Sequence, residues 1–148
     1  MKKFKYSLQN ILNVKYRLEE QAKGEFSIAQ AKLNEEIAKL ENIYKQMNNY
    51  EAELKKLVSG RLDFQEILFT ENAIEAKKNE AKEQKKRVIA ANRALEQARA
   101  KLNEVMVERK THEKLRDKAF EEYMAGFNKE EARETDELVS YRYNARES

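Results

Sequence analysis

The stretch VSGRLDFQEILFTEN, residues 58–72, separates two long and regularly spaced segments of the chain. Glycine is common at the position just after the end of a helix, where the backbone is often left-handed, and Gly60 fits that position. Asp63 and Glu66 have the spacing of a helix N-cap and capping box. One helix is therefore expected to end near Gly60 and the next to begin near Asp63. The apolar residues that crowd into the stretch are Leu62, Phe64, Ile67, Leu68 and Phe69.

The segment before this turn has the apolar spacing of a coiled-coil helix. Apolar residues recur at alternating steps of four and three, which is the a/d stripe of a coiled coil. The expected stripe is Leu8, Ile11, Leu18, Ala22, Phe26, Ala29, Leu33, Ile37, Leu40, Tyr44, Met47, Glu51, Leu54 and Val58. The approach to Leu33 from Ala22, Phe26 and Ala29 adds one extra four-residue step to the alternation. Such a step predicts a stutter, which locally unwinds the supercoil.

The segment after the turn has the same spacing without interruption. Its expected stripe is Ala81, Gln84, Val88, Ala91, Leu95, Ala98, Leu102, Val105, Arg109, His112, Leu115 and Ala119. Alanines that alternate with larger residues allow two helices to approach closely. The sequence thus predicts a second long helix that packs along the first.

Together these signals predict an all-α fold, a long two-helix antiparallel coiled-coil hairpin that forms a single domain over residues 1–148. Helix one is expected at about 4–59, the turn at about 60–63, and helix two at about 64–124 or beyond. Reversal at the turn pairs residues whose numbers sum to about 122, so Leu33 should lie near Val88. The alternative is one continuous helix that dimerises with a second chain, with Gly60 merely tolerated.

The composition supports helices and argues against a wide globular core. The chain has 148 residues, no proline, no cysteine and three glycines, and 39% of its residues are charged. Ala, Glu, Lys, Leu and Arg form more than half of it, as in coiled coils. The net charge of +3 comes from interleaved acids and bases rather than from a basic patch, so nucleic-acid binding is not expected. No apolar run approaches the roughly 20 residues that span a membrane, so direct membrane insertion is not expected.

Two regions match poorly across the predicted hairpin. The stripe at 43–50 faces residues 73–82, which offer few large apolar side chains. Either this stripe stays exposed and anchors a partner, or lysine stems cover it. The candidate partner contacts are Ile43, Tyr44, Met47, Tyr50 and, at the turn, Phe69. The tail at 125–148 has no partner in the hairpin, so it is expected to overhang as a polar helix, to fray, or to bind another molecule.

The residues provide no catalytic or cofactor site. His112 is the single histidine, and no cysteine accompanies it, so neither a metal site nor a catalytic base is predicted. Phosphate-binding loops, dinucleotide-binding glycines and serine elbows are absent from the sequence. We therefore expect no enzymatic activity and no cofactor.

Two stretches near the ends of the chain form a recognisable pattern. The first is FKYSLQNILNVKYRLEEQAKGEF at 4–26, and the second is ERKTHEKLRDKAFEEY at 108–123. Both resemble the FliJ family of flagellar type III export proteins. The residues that fit the family pattern are Phe4, Leu8, Leu12, Arg17, Glu20, Glu108–Lys110, Glu113–Arg116 and Asp136–Glu137. His112 stands where the family more often has leucine. The resemblance extends over essentially the whole chain and implies an antiparallel coiled-coil hairpin.

The resemblance also implies a role and partners. FliJ-like proteins insert a coiled coil formed by both termini into the hexameric ring of the flagellar export ATPase, promote its assembly and activity, and connect it to the export-gate membrane protein. They are also implied to escort substrate export chaperones. On this basis the expected ring contacts are Arg17, Arg109 and Arg116, and the stripe near Tyr44 is expected to contact the gate. The implied location is cytoplasmic, peripherally associated with the inner membrane at the flagellar base.

Two other functional classes are consistent with a coiled coil. A generic scaffolding or dimerising coiled coil would have no ATPase partner. A prefoldin-like chaperone would normally add strands between its helices, and no segment of this chain has the period-two pattern of a strand.

Overall fold

A computed structural model describes residues 3–147, and these residues form two long α-helices that pack against each other. Helix α1 spans Gln9–Ser59 and helix α2 spans Phe64–Glu147. The described residues are 93% helical, and no strand occurs among them. The predicted fold class, an all-α two-helix hairpin, is confirmed.

Helix α1 begins at Gln9, later than the expected start near residue 4. The Gln9 amide donates to the Tyr6 carbonyl at 3.1 Å, which forms the first turn. Before it, Phe4 packs against α2, with its ring centroid 5.2 Å from that of Phe120 and 5.3 Å from that of Tyr123. Residues 3–6 are therefore non-helical, and contacts between aromatic rings hold Phe4 in place.

The turn between the helices contains the predicted cap but not the predicted glycine conformation. The Asp63 carboxylate accepts hydrogen bonds from the Gln65 and Glu66 amides at 3.1 and 3.3 Å, as an N-cap does. The Gly60 amide donates to the Lys56 carbonyl at 3.1 Å. Gly60 does not have a positive φ, so the expected left-handed position is wrong. Helix α1 ends instead with an ordinary backbone geometry, and Asp63 provides the specific signal for the start of α2.

Helix α2 continues through the C-terminal region to Glu147. Residues 125–147 are therefore helical rather than frayed. All described side chains from 131 to 146 are exposed, so no part of α1 covers them.

The chain divides into two compact units. One comprises the segment that ends at Glu20 and the segment that begins at Asn103, and we call it the terminal unit. The other comprises Gln21–Leu102 and contains the turn, and we call it the turn unit. Leu12 is the fully buried residue of the terminal unit. The core of the turn unit consists of Leu33, Ala91 and Leu95, with Phe26, Ala29 and Val88 packed against them.

The buried stripe of α1 differs from the predicted one. Ile37, Glu51 and Val58 are exposed, and the residue immediately before each of them lies in the interface. The interface residues follow alternating steps of three and four, so no stutter interrupts them. They are Leu12, Lys15, Glu19, Ala22, Phe26, Ala29, Leu33, Glu36, Leu40, Ile43, Met47, Tyr50, Leu54 and Leu57.

A similar shift occurs near the start of α1. Leu8, Ile11 and Leu18 were expected in the interface but are all more than one-third exposed. Leu12 and Glu19 occupy the interface in their place. Two polar residues, Glu19 and Glu36, thus displace apolar neighbours because α2 offers them specific polar partners, which the next subsection describes.

The predicted stripe of α2 is confirmed from Ala81 to His112. Leu115 is exposed, and the half-buried Arg116 takes its place, which preserves the alternating steps of three and four. Towards the turn the series extends further than expected. The added interface residues are Ile67, Thr70, Ile74 and Lys77.

Candidate partner-binding surfaces

A buried ion pair joins the two helices of the terminal unit. The Arg109 guanidinium donates from Nε to Glu19 Oε2 at 2.7 Å and from Nη2 to Glu19 Oε1 at 3.1 Å. Its Nη1 donates to Glu113 Oε2 at 3.1 Å. Glu19 is 5% exposed. The two carboxylates, Glu19 first, raise the pKa of Arg109 above its ordinary value, so the guanidinium stays charged in the interface.

Tyr16 extends this network to a fourth residue. Its hydroxyl donates to Glu113 Oε1 at 2.5 Å. That hydrogen bond, followed by burial, raises the pKa of Tyr16. The Tyr16 hydroxyl, and after it the Arg109 guanidinium, hold the pKa of Glu113 below its ordinary value. The arrangement gives the half-buried Glu113 carboxylate two donors, one from each helix, and so helps to align α1 with α2 in this unit.

The three arginines predicted as ring contacts have different surroundings. Arg17 is exposed on α1, and Arg116 is half-buried on α2. Arg109 is held inside the chain by Glu19 and Glu113. Of the three, Arg17 has the side chain best placed to meet a partner without breaking an internal ion pair.

A second polar layer lies in the interface of the turn unit. Gln84 donates from Nε2 to the backbone carbonyl of Glu36 at 2.9 Å and also to the Glu36 carboxylate. Lys32 lies 3.0 Å from the other carboxylate oxygen. Lys32, and after it Gln84, lower the pKa of Glu36. These partners explain why Glu36 is buried while the apolar Ile37 beside it is exposed.

The stripe predicted to contact the export gate is half-buried. Ile43, Met47 and Tyr50 belong to the interface series, Tyr44 lies beside Ile43, and all four side chains are half-buried. Two basic side chains of α2 cover part of it. The Lys85 ammonium lies 5.6 Å from the Tyr44 ring centroid, and Lys77 shares a groove of about 260 Å³ with Tyr50. Lys85 and Lys77 thus lie beside Tyr44 and Tyr50, and the contact of these four residues with a partner stays a prediction.

Five of the eight large apolar residues that are exposed in this unit lie at the turn or beside it. Phe69 is 72% exposed and Phe64 is 77% exposed. Leu68 is also exposed, whereas Ile67 beside it is half-buried. We call this group the turn surface, and its members are Val58, Leu62, Phe64, Leu68 and Phe69. Exposed aromatic and aliphatic side chains on helix ends are typical anchors for a protein partner.

An aromatic cluster in the terminal unit joins the segment before α1 to α2. The rings of Phe120 and Tyr123 stack at 6.3 Å, and Tyr123 stacks on Phe127 at 6.4 Å. Of these rings, Tyr123 borders an open groove of about 850 Å³, together with Phe4, Lys3, Lys5 and Glu130. The spacing of 120, 123 and 127 on one helical face was a signal in the sequence, but the role of Phe4 depends on a non-helical segment.

His112 lies half-buried at its predicted interface position. Its Nδ1 is buried and has no hydrogen-bond partner among the described residues. Within residues 3–147 no group of acidic, histidine or cysteine side chains could hold a metal ion. None of the described helices is long and apolar enough to cross a membrane. The surfaces described above are suited to protein contacts.

Comparison with known proteins identifies the family. Neither a curated protein nor a solved structure matches the chain. The sequence model of one protein family, described as the flagellar FliJ protein, matches residues 4–148 and so includes both helices. This family is a non-catalytic component of flagellar export. The chain belongs to the flagellar FliJ protein family and takes part in flagellum biogenesis and protein export.

Proposed function

We propose that this protein acts on the flagellar export ATPase through its terminal unit and contacts the export gate through its turn unit. The observation that carries the proposal is the family match over residues 4–148. In this proposal the paired ends of α1 and α2 enter the hexameric ATPase ring, promote its assembly and raise its turnover. The protein also escorts empty substrate chaperones, as FliJ-like proteins are implied to do.

The internal ion pairs of the terminal unit support the first part of the proposal. A helix pair that enters a ring must stay paired while its outer faces meet the ring. The Arg109–Glu19 pair and the Lys15–Glu108 pair, at 3.0 Å, both connect α1 to α2. Arg17 stays exposed and so remains available to acidic groups of the ring. Arg116 is a second, half-buried cation on α2, whereas Arg109 acts in this proposal by holding the helices together.

The turn surface supports the second part. Phe64 and Phe69 are exposed, and the half-buried residues Tyr44 and Met47 lie in the same unit. Because Tyr44 and Met47 are already half-buried, the exposed aromatic residues are the stronger anchors for the gate. The proposed gate contact therefore combines Phe69 with the accessible edges of Ile43, Tyr44, Met47 and Tyr50.

The test combines a pull-down with the flagellar export ATPase and a turnover assay. Arg17→Glu should weaken ATPase binding and stimulation, because it places a negative charge where a cation is proposed to bind. Arg93→Glu is the matched control, since Arg93 is an exposed arginine of the turn unit. If the two variants stimulate the ATPase equally, the proposed role of Arg17 is wrong. If the unmodified protein neither binds the ATPase nor changes its turnover, a scaffolding coiled coil describes it better.

A second pair of variants tests the division between the units. Tyr44→Ala with Met47→Ala, and separately Phe69→Ala, should weaken binding to the cytoplasmic region of the export gate and leave ATPase stimulation intact. Circular dichroism should accompany the double variant, because Tyr44 and Met47 also pack on α2. Loss of ATPase stimulation with unchanged gate binding would refute the division.

A further inference from the structure

Helix α1 does not cover the last part of α2. Residues 128–146, which we call the C-terminal segment, lie within the terminal unit and are helical, and from 131 onwards each described side chain is exposed. A single solvated helix gains little from its own backbone, because most helical stability in proteins comes from packing an amphipathic face. The segment is therefore suited to pairing with another helix.

The segment has an apolar stripe on the face that α2 uses for packing. Leu138 lies about three helical turns after Phe127, which belongs to the aromatic cluster, so both residues are on nearly the same side of the helix. Tyr141 and Ala145 follow at steps of three and four. Leu138 is 60% exposed and Tyr141 is 74% exposed. The packing face of α2 thus continues past the point where α1 covers it.

The charges of the segment are divided along its length. Residues 128–137 contain five acidic and two basic side chains, a net charge of −3. Residues 138–146 contain two arginines and no acidic residue, a net charge of +2. The segment is therefore complementary to itself in the antiparallel direction, whereas a parallel pair would place like charges side by side.

We propose that the C-terminal segment binds the same segment of a second copy of this chain as an antiparallel helix pair. A twofold axis near Leu138 pairs residues whose numbers sum to about 276, because such an interface uses the same surface on both copies. Leu138 then meets its own counterpart. Arg142 of each copy lies opposite the acidic residues Glu131 and Glu134 of the other. Charges beside an apolar seam select partner and orientation in coiled coils, which favours a second copy over an unrelated helix.

The self-association is weak and reversible. Residues 131–146 extend over roughly 24 Å, which is short for a coiled coil and places the interface among small, transient ones. The apolar stripe consists of Leu138, Tyr141 and Ala145, and the alanine side chain is small. The dimer should therefore appear as the protein concentration rises and should dissociate on dilution.

Sedimentation equilibrium of the full chain over a wide concentration range tests the proposal. The unmodified protein should show a monomer–dimer equilibrium. Leu138→Glu should abolish it, and Arg142→Glu should weaken it by about tenfold or more, because like charges then face each other. Arg93→Glu, an exposed arginine outside the segment, should leave the equilibrium unchanged.

Charge exchange provides the decisive comparison. The variant Glu131→Arg with Glu134→Arg should self-associate weakly alone, but an equimolar mixture with Arg142→Glu should form heterodimers. A triple variant with all three substitutions should regain dimerisation to within about threefold of the unmodified protein. Helix content by circular dichroism verifies that each variant is folded. A chain that stays monomeric at all concentrations, or a dimer that none of these substitutions changes, would overturn the proposal.

Discussion

Arg109 and Glu19 face each other across the two helices and share two hydrogen bonds, at 2.7 and 3.1 Å. Both residues occupy positions where a coiled coil usually has apolar side chains. The pair therefore specifies which residues of α1 lie opposite which residues of α2 in the terminal unit. It does so because a shift of either helix would leave a buried charge without its partner.

Removal of one member of this pair should destabilise the protein more than removal of both. Glu19→Leu leaves the Arg109 guanidinium without its two strongest hydrogen bonds, so the melting temperature should fall by several degrees. Glu19→Leu combined with Arg109→Leu should recover most of that loss, because an apolar pair fits the interface without a desolvation cost. Thermal unfolding followed by circular dichroism measures both. Glu104→Leu, at an exposed position, is the control. Equal melting temperatures for Glu19→Leu and Glu104→Leu would contradict the prediction.

Acid should weaken the terminal unit through Glu113. In the folded chain, Tyr16 and then Arg109 lower the pKa of Glu113, whereas the pKa of an unfolded glutamate is about 4.3. The native state thus holds the proton less readily than the unfolded state. The stability from Glu113 is fully present above the unfolded pKa and is lost as the pH falls through the lower folded value.

Urea unfolding at neutral pH and at about pH 3.5 tests this linkage. The stability difference between the unmodified protein and Glu113→Gln should be larger at neutral pH and should shrink in acid. Tyr16→Phe, which removes the largest cause of the depressed pKa, should make the acid dependence shallower. A difference that is the same at both pH values would show that the charge of Glu113 contributes nothing to stability.

The burial of Leu12 rather than Ile11 gives a direct test of the helix alignment. Leu12 is completely buried, whereas Ile11 is 43% exposed. Leu12→Ala should cost about 2–5 kcal/mol in the free energy of unfolding, because it leaves a cavity as well as losing buried area. Ile11→Ala should cost clearly less, because its site is open to water. Chemical denaturation measures the loss in the free energy of unfolding for both variants. A larger loss for Ile11→Ala than for Leu12→Ala would instead support the stripe expected from the sequence, with Ile11 in the interface.

Gly60→Ala should be neutral or stabilising. Gly60 does not have a positive φ, and a Cβ there would lie 3.4 Å from the Lys56 carbonyl oxygen, an ordinary contact. Alanine restricts the unfolded chain and should therefore add about 0.4–1 kcal/mol to the free energy of unfolding. A loss of about 1 kcal/mol or more would indicate that Gly60 adopts the left-handed conformation in solution.

The neighbouring cap provides a matched comparison for this variant. Asp63→Ala removes the carboxylate that accepts the Gln65 and Glu66 amides and should cost about 0.5–2 kcal/mol. Asp63→Asn retains an acceptor and should cost less. Urea unfolding under one set of conditions places all three variants on the same scale.

The sequence by itself determined the fold class, the point of reversal and the alignment of most of α2. These features are local, because each depends on the sequence of only one helix. They are the many strong helix formers without proline, the cap at Asp63 and the uninterrupted series from Ala81 to His112. The possible partner residues near Tyr44 could also be named, because aromatic and methionine side chains in a polar helix are conspicuous.

Only the tertiary structure decided which side of α1 is buried. Apolar residues stand beside one another at Ile11–Leu12 and at Leu57–Val58, and an acid stands beside Ile37, so two neighbouring stripes are almost equally apolar. The choice depends on α2, where Arg109 neutralises Glu19 and Gln84 satisfies Glu36. A buried carboxylate is acceptable only where its partners are in place, and those partners lie far away along the chain. Tyr44 and Met47 are half-buried while Phe64 and Phe69 are exposed at the turn, which the apolar spacing of one helix alone does not determine.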